Sequence, residues 1–184
     1  MIKCAVIGLG RIGMLYDSDK YPNQIWSHTK AISKSKDFKL HCGIDSSQKK
    51  LNIFKKRFKK TSALRSISDL TNNNKIDLCI VSTPARDHYN SIKKLLEKTK
   101  PKMIICEKPI EYSIQKSIKI LNLCKKNKIK LLVNFIRRCD PSALKIKKII
   151  NNKQKKIKNF YAHGTIRYSK GLLENGSHFI DLAI

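Results

Sequence analysis

Residues 2–13 read IKCAVIGLGRIG, an apolar, β-branched run that breaks into three glycines at G-x-G-x-x-G spacing. A run this short, ending in glycine, reads as a buried strand of a parallel sheet. Each glycine then takes a separate job. Gly8 allows the tight turn out of the strand, Gly10 lets the backbone approach a pyrophosphate, and Gly13 lets the next helix pack close to the strand. Arg11 and Ile12 fill the positions between them. The phosphates would sit on the free N–H groups that open a helix. A glycine-rich turn that holds no ligand has the same spacing, so the rest of the chain must decide between the two.

The remaining chain alternates between short apolar runs and longer amphipathic ones. Residues 14–26, MLYDSDKYPNQIW, are polar and aromatic and interrupt the helix expected after the glycines; they read as an inserted loop, with a helix over 27–36. Strands are predicted over 38–44, 63–67, 76–82, 102–106 and 130–134. Helices are predicted over 48–60, 87–98 and 113–126, with Ser68 capping a short turn through Leu70. The helix over 48–60 carries Leu51, Phe54 and Phe58 inward. The helix over 113–126 carries Ile114, Ile118, Leu121 and Cys124 inward. Strands alternating with helices predict an α/β fold, a doubly wound parallel sheet with helices on both faces. Ligands of such sheets sit outside the carboxyl ends of the strands. The polar strand ends, Gly8 to Gly13, Asp45, Ser82 with Thr83, Glu107 with Lys108, and Asn134, would all line one crevice.

Asp45 ends the second strand, where an acidic residue accepts from the adenosine ribose hydroxyls and favours NAD over NADP. The stretch from Gly13 to Asp45 exceeds the usual ~20 residues, and the inserted loop accounts for the excess. Asp45 also suits an N-cap for the helix after it. Lys49 and Lys50 stand close enough in sequence to meet a 2′-phosphate, so the NAD preference is slight.

Lys and Arg number 40 against 13 Asp and Glu, a formal charge of +27. Such a charge raises nucleic acid as a partner. The lysines are spread along the whole chain, however, alongside abundant Ile and Asn, as an AT-rich coding bias would give. A weak, salt-sensitive affinity for polyanions follows, and no specific nucleic-acid role. None of the six cysteines makes a C-x-x-C pair, which leaves a zinc knuckle or redox pair unsupported and reads as reduced core thiols. No run approaches the ~20 apolar residues of a membrane span. No signal peptide precedes the first strand, and a cytoplasmic address is expected.

From Asp140 the texture changes. Residues 140–152 read as a lysine-rich helix and 156–168 as a strand, and the apolar pattern of Phe179, Ile180, Leu182 and Ala183 reads as a helix just begun. The expected organisation is a dinucleotide-binding domain over 1–135 and, over 136–184, the beginning of a second α/β domain, so that the chain reads as truncated.

Six segments, GLGRIG, the strand ending in Asp45, STPARDHY, CEKPI, NFIRRCDP and NGSHFIDL, occur in an order that resembles the Gfo/Idh/MocA family (glucose–fructose oxidoreductase, inositol dehydrogenase and relatives). The resemblance covers essentially the whole chain. It implies an N-terminal Rossmann domain, a C-terminal α/β domain carrying substrate contacts and the oligomer interface, and use of NAD or NADP. It also implies hydride transfer to or from a hydroxyl or ketone of a sugar, cyclitol or nucleotide-sugar, with homo-oligomers for a full-length member.

By that resemblance Lys108 is the active-site lysine, a cation that would stabilise the alkoxide developing as hydride leaves. Glu107 would face the nicotinamide. His178 is the family's histidine and the expected general base; Asn175 or Ser177 could cap the helix in whose first turn it stands. Asp181 could orient its ring from the same helix face. Glu174 stands where the family often has an aspartate four residues before the histidine, and its extra methylene alters the geometry of that pair. His88 would lie near the cofactor ribose or pyrophosphate, or equally serve the start of its helix. Arg138, like Asn175, could reach substrate, or it could anchor the crossing between domains. A non-catalytic, dinucleotide-binding fragment lacking its substrate domain is the alternative reading.

Overall fold

The computed structural model describes residues 1–17, 23–71, 75–154, 165 and 176–183. The chain forms two compact units, Met1–Val133 and Asn134–Ile184. The first is built on strands β1 (Ile2–Ile7), β2 (Phe38–Ile44), β3 (Ser62–Leu64), β4 (Leu78–Val81) and β5 (Met103–Glu107), with β6 (Lys130–Asn134) running up to the boundary. Helices α1 (His28–Lys34), α2 (Gln48–Arg57), α3 (His88–Lys98) and α4 (Ile114–Lys126) alternate with them. The order across the sheet is β3-β2-β1-β4-β5-β6, and every pairing from β3 through β5 is parallel. The winding reverses between β1 and β4, which opens a crevice at their carboxyl ends. This is the Rossmann-type α/β fold that the strand–helix alternation predicts.

Period-two alternation sorts the strand side chains onto two faces. Ala5, Ile7, Cys79, Val81, Ile104 and Cys106 pack with Ile92 and Leu95 of α3 and with Ile120 and Cys124 of α4. Cys4, Val6, Leu40, Leu78 and Ile80 pack with Ile32 of α1 and with Leu51 and Phe54 of α2. Both faces are covered toward the carboxyl ends, which is why these strands read as largely apolar runs, with Lys3, Lys39 and His41 kept to the less buried first part of β1 and β2. Phe54 is fully buried, and a Cβ at Gly43 would lie 2.6 Å from its ring. Glycine at position 43 therefore sets how closely α2 approaches β2. Five of the six free cysteines are buried. Burial pushes the Cys4 thiol up to about 11 and Cys42 up to about 12, and raises Cys79 and Cys106 as well.

Several elements differ from their sequence-based bounds. The residues after Gly10 form one π-helical turn, Arg11–Leu15, in which Leu15 N–H donates to Gly10 O at 2.9 Å. Ser27 lies outside α1 as its N-cap. β3 ends at Leu64, because Ser66 and Asp69 form a capping box that starts a 3-10 turn, Ile67–Asp69; the cap is Ser66 and not Ser68. The inward face of α4 is also shifted. Ile120 and Cys124 are buried, whereas Ile114, Ile118 and Leu121 are exposed. This helix is apolar around more than half its circumference, and only the arc through Ile120 and Cys124 meets the sheet.

In the second unit Phe135 leads a 3-10 turn, Ile136–Cys139. Helices α5 (Pro141–Gln154) and α6 (Ser177–Ala183) follow. Asp140 caps α5 by accepting from Ser142 N–H at 2.8 Å and Ala143 N–H at 3.3 Å. The strand predicted over 156–168 lies, apart from Thr165, outside the described residues.

Candidate functional site

The glycine loop fills the turn out of β1. Gly8 has φ of +92°, and a Cβ there would strike the Ser82 carbonyl at 2.6 Å, so glycine is required by both conformation and space. A Cβ on Gly13 would sit 2.0 Å from Gly8 O. Gly10 is different: its backbone is extended, and a Cβ there meets nothing within 4 Å. Two glycines are therefore demanded by the fold itself, and the middle one is not. Arg11 is exposed and Ile12 half-buried on the turn that follows.

Ser82, at the end of β4, stitches the loop in place. Its hydroxyl donates to Gly8 O at 2.7 Å, with Ile7 O at 3.1 Å, and its N–H donates to Ile7 O at 2.8 Å. Thr83 follows, with its hydroxyl 3.4 Å from that of Ser91. His88 is 1% exposed. Its Nε2 lies 2.9 Å from Thr83 O and its Nδ1 3.0 Å from Ile110 O. The ring thus bridges the segment after β4 to the segment after β5, and both of its nitrogens are engaged by main chain.

Asp45 stands at the end of β2 with its carboxylate turned to the glycine loop. Leu9 N–H donates to Oδ2 at 2.8 Å, Ser47 N–H to Oδ1 at 2.9 Å, and Lys50 Nζ to Oδ2 at 3.0 Å. The N-cap reading of Asp45 is thereby half realised: it serves the residue that caps α2 and the loop at once. Glu107 closes β5, and its Oε1 lies 2.7 Å from His28 Nε2 at the start of α1. Lys108 follows, half-buried, with a cis peptide bond to Pro109. His28 carries no motif of its own. It is joined to Glu107 across most of the unit, so only its place one residue beyond the Ser27 N-cap could have drawn attention to it.

The loop before α1 is pinned at its base. Asp17 is buried and accepts from Trp26 N–H at 2.8 Å and from the Ser27 hydroxyl. The Arg57 guanidinium donates to Met14 O and to Asp17 O, each at 3.2 Å.

In the second unit, Arg138 donates to both Asp181 oxygens, at 2.6 and 2.5 Å. The His178 ring meets Phe135 edge to face, centroids 6.0 Å apart. The Arg138 guanidinium lies 5.9 Å from the Phe135 centroid. Both oxygens of Asp181 are thus held by Arg138, tying α6 to the turn before α5. Glu174 and Asn175 lie outside the described residues. Lys108 belongs to the first unit and His178 to the second.

Among the described residues no group of His, Cys, Asp and Glu could hold a metal ion, and no helix is long and apolar enough to cross a membrane.

Comparison with known proteins fits this geometry. An oxidoreductase from Bacillus subtilis, YrbE, is 28% identical over 151 residues, covering 82% of this chain and 40% of that protein. Inositol 2-dehydrogenase of Rhizobium meliloti is 26% identical over 151 residues, covering 82% of this chain and 41% of its own length. The chain therefore spans about two-fifths of the length of these curated relatives. The crystal structure of scyllo-inositol dehydrogenase from Lactobacillus casei, which holds NAD(H) and scyllo-inositol, shares the fold with a TM-score of 0.68, at 22% identity over 84% of this chain and 42% of that one. The family model for oxidoreductases with an NAD-binding Rossmann fold matches residues 2–135, and the chain belongs to that family, Gfo/Idh/MocA.

Proposed function

We propose that this chain is the dinucleotide-binding part, with the start of the substrate domain, of an NAD(P)-dependent oxidoreductase acting on a CH–OH group of a sugar, cyclitol or nucleotide-sugar. The observation that carries the reading is the contrast among the glycines. Gly8 and Gly13 are closed by backbone, while a Cβ on Gly10 would point into open space. A backbone that must stay bare where nothing in the protein crowds it suits the close approach of a pyrophosphate. The N–H groups of the following turn would hold that group, and Thr83 would border it. A bound nicotinamide would supply the hydride acceptor or donor. The cyclitol class is the substrate of the dehydrogenases this chain resembles.

The residues divide the remaining work. Lys108 would place a cation at the substrate oxygen and stabilise its developing negative charge. His178 would accept the hydroxyl proton, with Glu174 in support and Asn175 or Arg138 near the substrate. Glu107 would border the nicotinamide, held by His28. Free thiols, mostly buried, suit a reducing compartment such as the cytoplasm, and the full-length protein would form homo-oligomers.

The test is a turnover assay with NAD and NADP against a panel of cyclitols and sugars, following formation of reduced nicotinamide. Replacing Lys108 by Met should lower turnover roughly 10²–10³-fold, as loss of a donor to a developing oxyanion does. His178→Asn should lower it roughly 10²–10⁴-fold. Turnover that survives both changes would refute these roles. Tight cofactor binding with no turnover on any substrate would favour the alternative, a dinucleotide-holding chain without chemistry. The chain's span of about two-fifths of its relatives' length is what motivates that reading.

A further inference from the structure

The acidic residue at the end of β2 governs which dinucleotide such a crevice takes. An available carboxylate there accepts from the ribose hydroxyls of NAD, whereas the 2′-phosphate of NADP needs a cation. In this chain the Asp45 carboxylate is already spent. Leu9 N–H reaches Oδ2 at 2.8 Å, Ser47 N–H reaches Oδ1 at 2.9 Å, and Lys50 Nζ reaches Oδ2 at 3.0 Å and Oδ1 at 3.3 Å. A carboxylate offers about four lone-pair sites, and these contacts take them. The Asp45 side chain is only 7% exposed. Asp45 is thus a strut between the glycine loop and the start of α2, and Lys50 offsets its charge.

What the rim still presents is cationic. Lys50 keeps 35% of its side chain in solvent, and its ammonium has three donors, so it can hold Asp45 and still direct one N–H outward. Lys49 is exposed beside it. Arg65 stands just past β3 and donates to Ser46 O at 3.4 Å, which brings a guanidinium against the residue that follows Asp45. Lys49 and Arg65 add two cations to the Lys50–Asp45 pair, and Ser46 and Ser47 add two hydroxyls beside it.

We propose that the adenosine end of this crevice takes a 2′-phosphorylated dinucleotide, NADP(H), with Lys50 as the specificity-determining residue and Arg65 as the second cation on the phosphate. The inference rests on the proposed function and reverses the slight NAD preference that an acidic residue at this position predicts alone. A ribose 2′-hydroxyl must compete with three donors for Asp45. A 2′-phosphate instead gains charge-assisted bonds from Lys50 and Arg65, and Asp45 stays where it braces the loop.

The test is a fluorescence titration of the chain with NADH and NADPH, and with 2′-AMP, which carries the phosphorylated half alone. Wild type should bind NADPH tighter than NADH by about tenfold or more, the usual worth of a charge-assisted hydrogen bond. 2′-AMP should displace NADPH. Lys50→Gln should weaken NADPH by about that factor and strengthen NADH, since one competing donor has left Asp45. Arg65→Gln should weaken NADPH in the same direction, and it keeps the proposal testable if Lys50→Gln melts early. Tighter binding of NADH by wild type, or an NADPH/NADH ratio unmoved by both substitutions, would overturn this proposal and leave the dinucleotide reading intact. Binding of neither dinucleotide by a folded chain would overturn both.

Discussion

Alanine at Gly10 and alanine at Gly13 should have opposite consequences, although the two glycines stand three residues apart in one motif. A Cβ on Gly13 would lie 2.0 Å from Gly8 O, a backbone atom that cannot rotate away. Relief requires the turn to move, which costs about 1–3 kcal/mol as overpacking. The Gly8 carbonyl also accepts from the Ser82 hydroxyl at 2.7 Å, and pulling that buried bond apart costs about 1–3 kcal/mol more. The sum, about 2–6 kcal/mol, is a large share of the roughly 5–15 kcal/mol that holds a typical domain folded. At about 2–4 °C per kcal/mol, Gly13→Ala should lower Tm by roughly 5–20 °C. Gly10 has φ of −73° and ψ of −159°, open to any residue, and its Cβ meets nothing within 4 Å. Gly10→Ala should therefore leave Tm unchanged or raise it slightly, by removing freedom from the unfolded chain. The same methyl would hold a pyrophosphate off the backbone N–H groups. Losing one charge-assisted bond weakens NAD(P)H binding about 10–100-fold. Circular-dichroism melts and fluorescence titrations read the two effects separately. Wild-type dinucleotide affinity in Gly10→Ala would rule out a pyrophosphate on this turn, and a wild-type Tm in Gly13→Ala would rule out the close packing at Gly13.

The thiols make a second test: in native protein a thiol reagent should modify Cys139 quickly, and Cys4, Cys42, Cys79, Cys106 and Cys124 only on unfolding, because burial keeps them out of reach. Fast reaction of several thiols would contradict the packing. His88→Leu removes the ring that bridges Thr83 O and Ile110 O; a neutral imidazole donates to one of them, and stranding that carbonyl should cost about 1–3 kcal/mol, read by chemical denaturation. Asp77 accepts from Lys3 N–H and pairs with Lys102, which holds its carboxyl below the ordinary 3.8. Because the folded protein takes up that proton later than the unfolded chain does, the contribution is complete above about pH 4 and drains away as pH falls through the depressed value. Asp77→Asn should flatten the pH dependence of stability in that acid range and leave the rest of the curve alone.

The sheet was legible because its strands are buried on both faces. Ile2 to Ile7 and Phe38 to Ile44 can be read to the residue, since short, largely apolar runs bounded by glycine or aspartate have few other uses. Helix α4 shows where the same signal fails. Ile114, Ile118 and Leu121 make a regular stripe, but a helix apolar on two arcs does not say which arc meets the sheet. The crevice was legible as a set of strand ends, because in a parallel sheet topology alone brings those ends to one side. Its pairings were not. The contact of His28 with Glu107, and the several donors on Asp45, depend on distances between remote segments that no local pattern encodes.

The most direct test of the central claim, that the carboxyl-end crevice between β1 and β4 takes a dinucleotide pyrophosphate on the bare glycine turn, is an amide chemical-shift map of the folded chain titrated with NADPH and NADH. Saturable shifts should concentrate at Leu9, Gly10, Arg11, Ile12, Gly13 and Thr83 and be absent in Gly10→Ala. A folded chain whose spectrum does not change with either dinucleotide, or whose shifts cluster away from that turn, would contradict it.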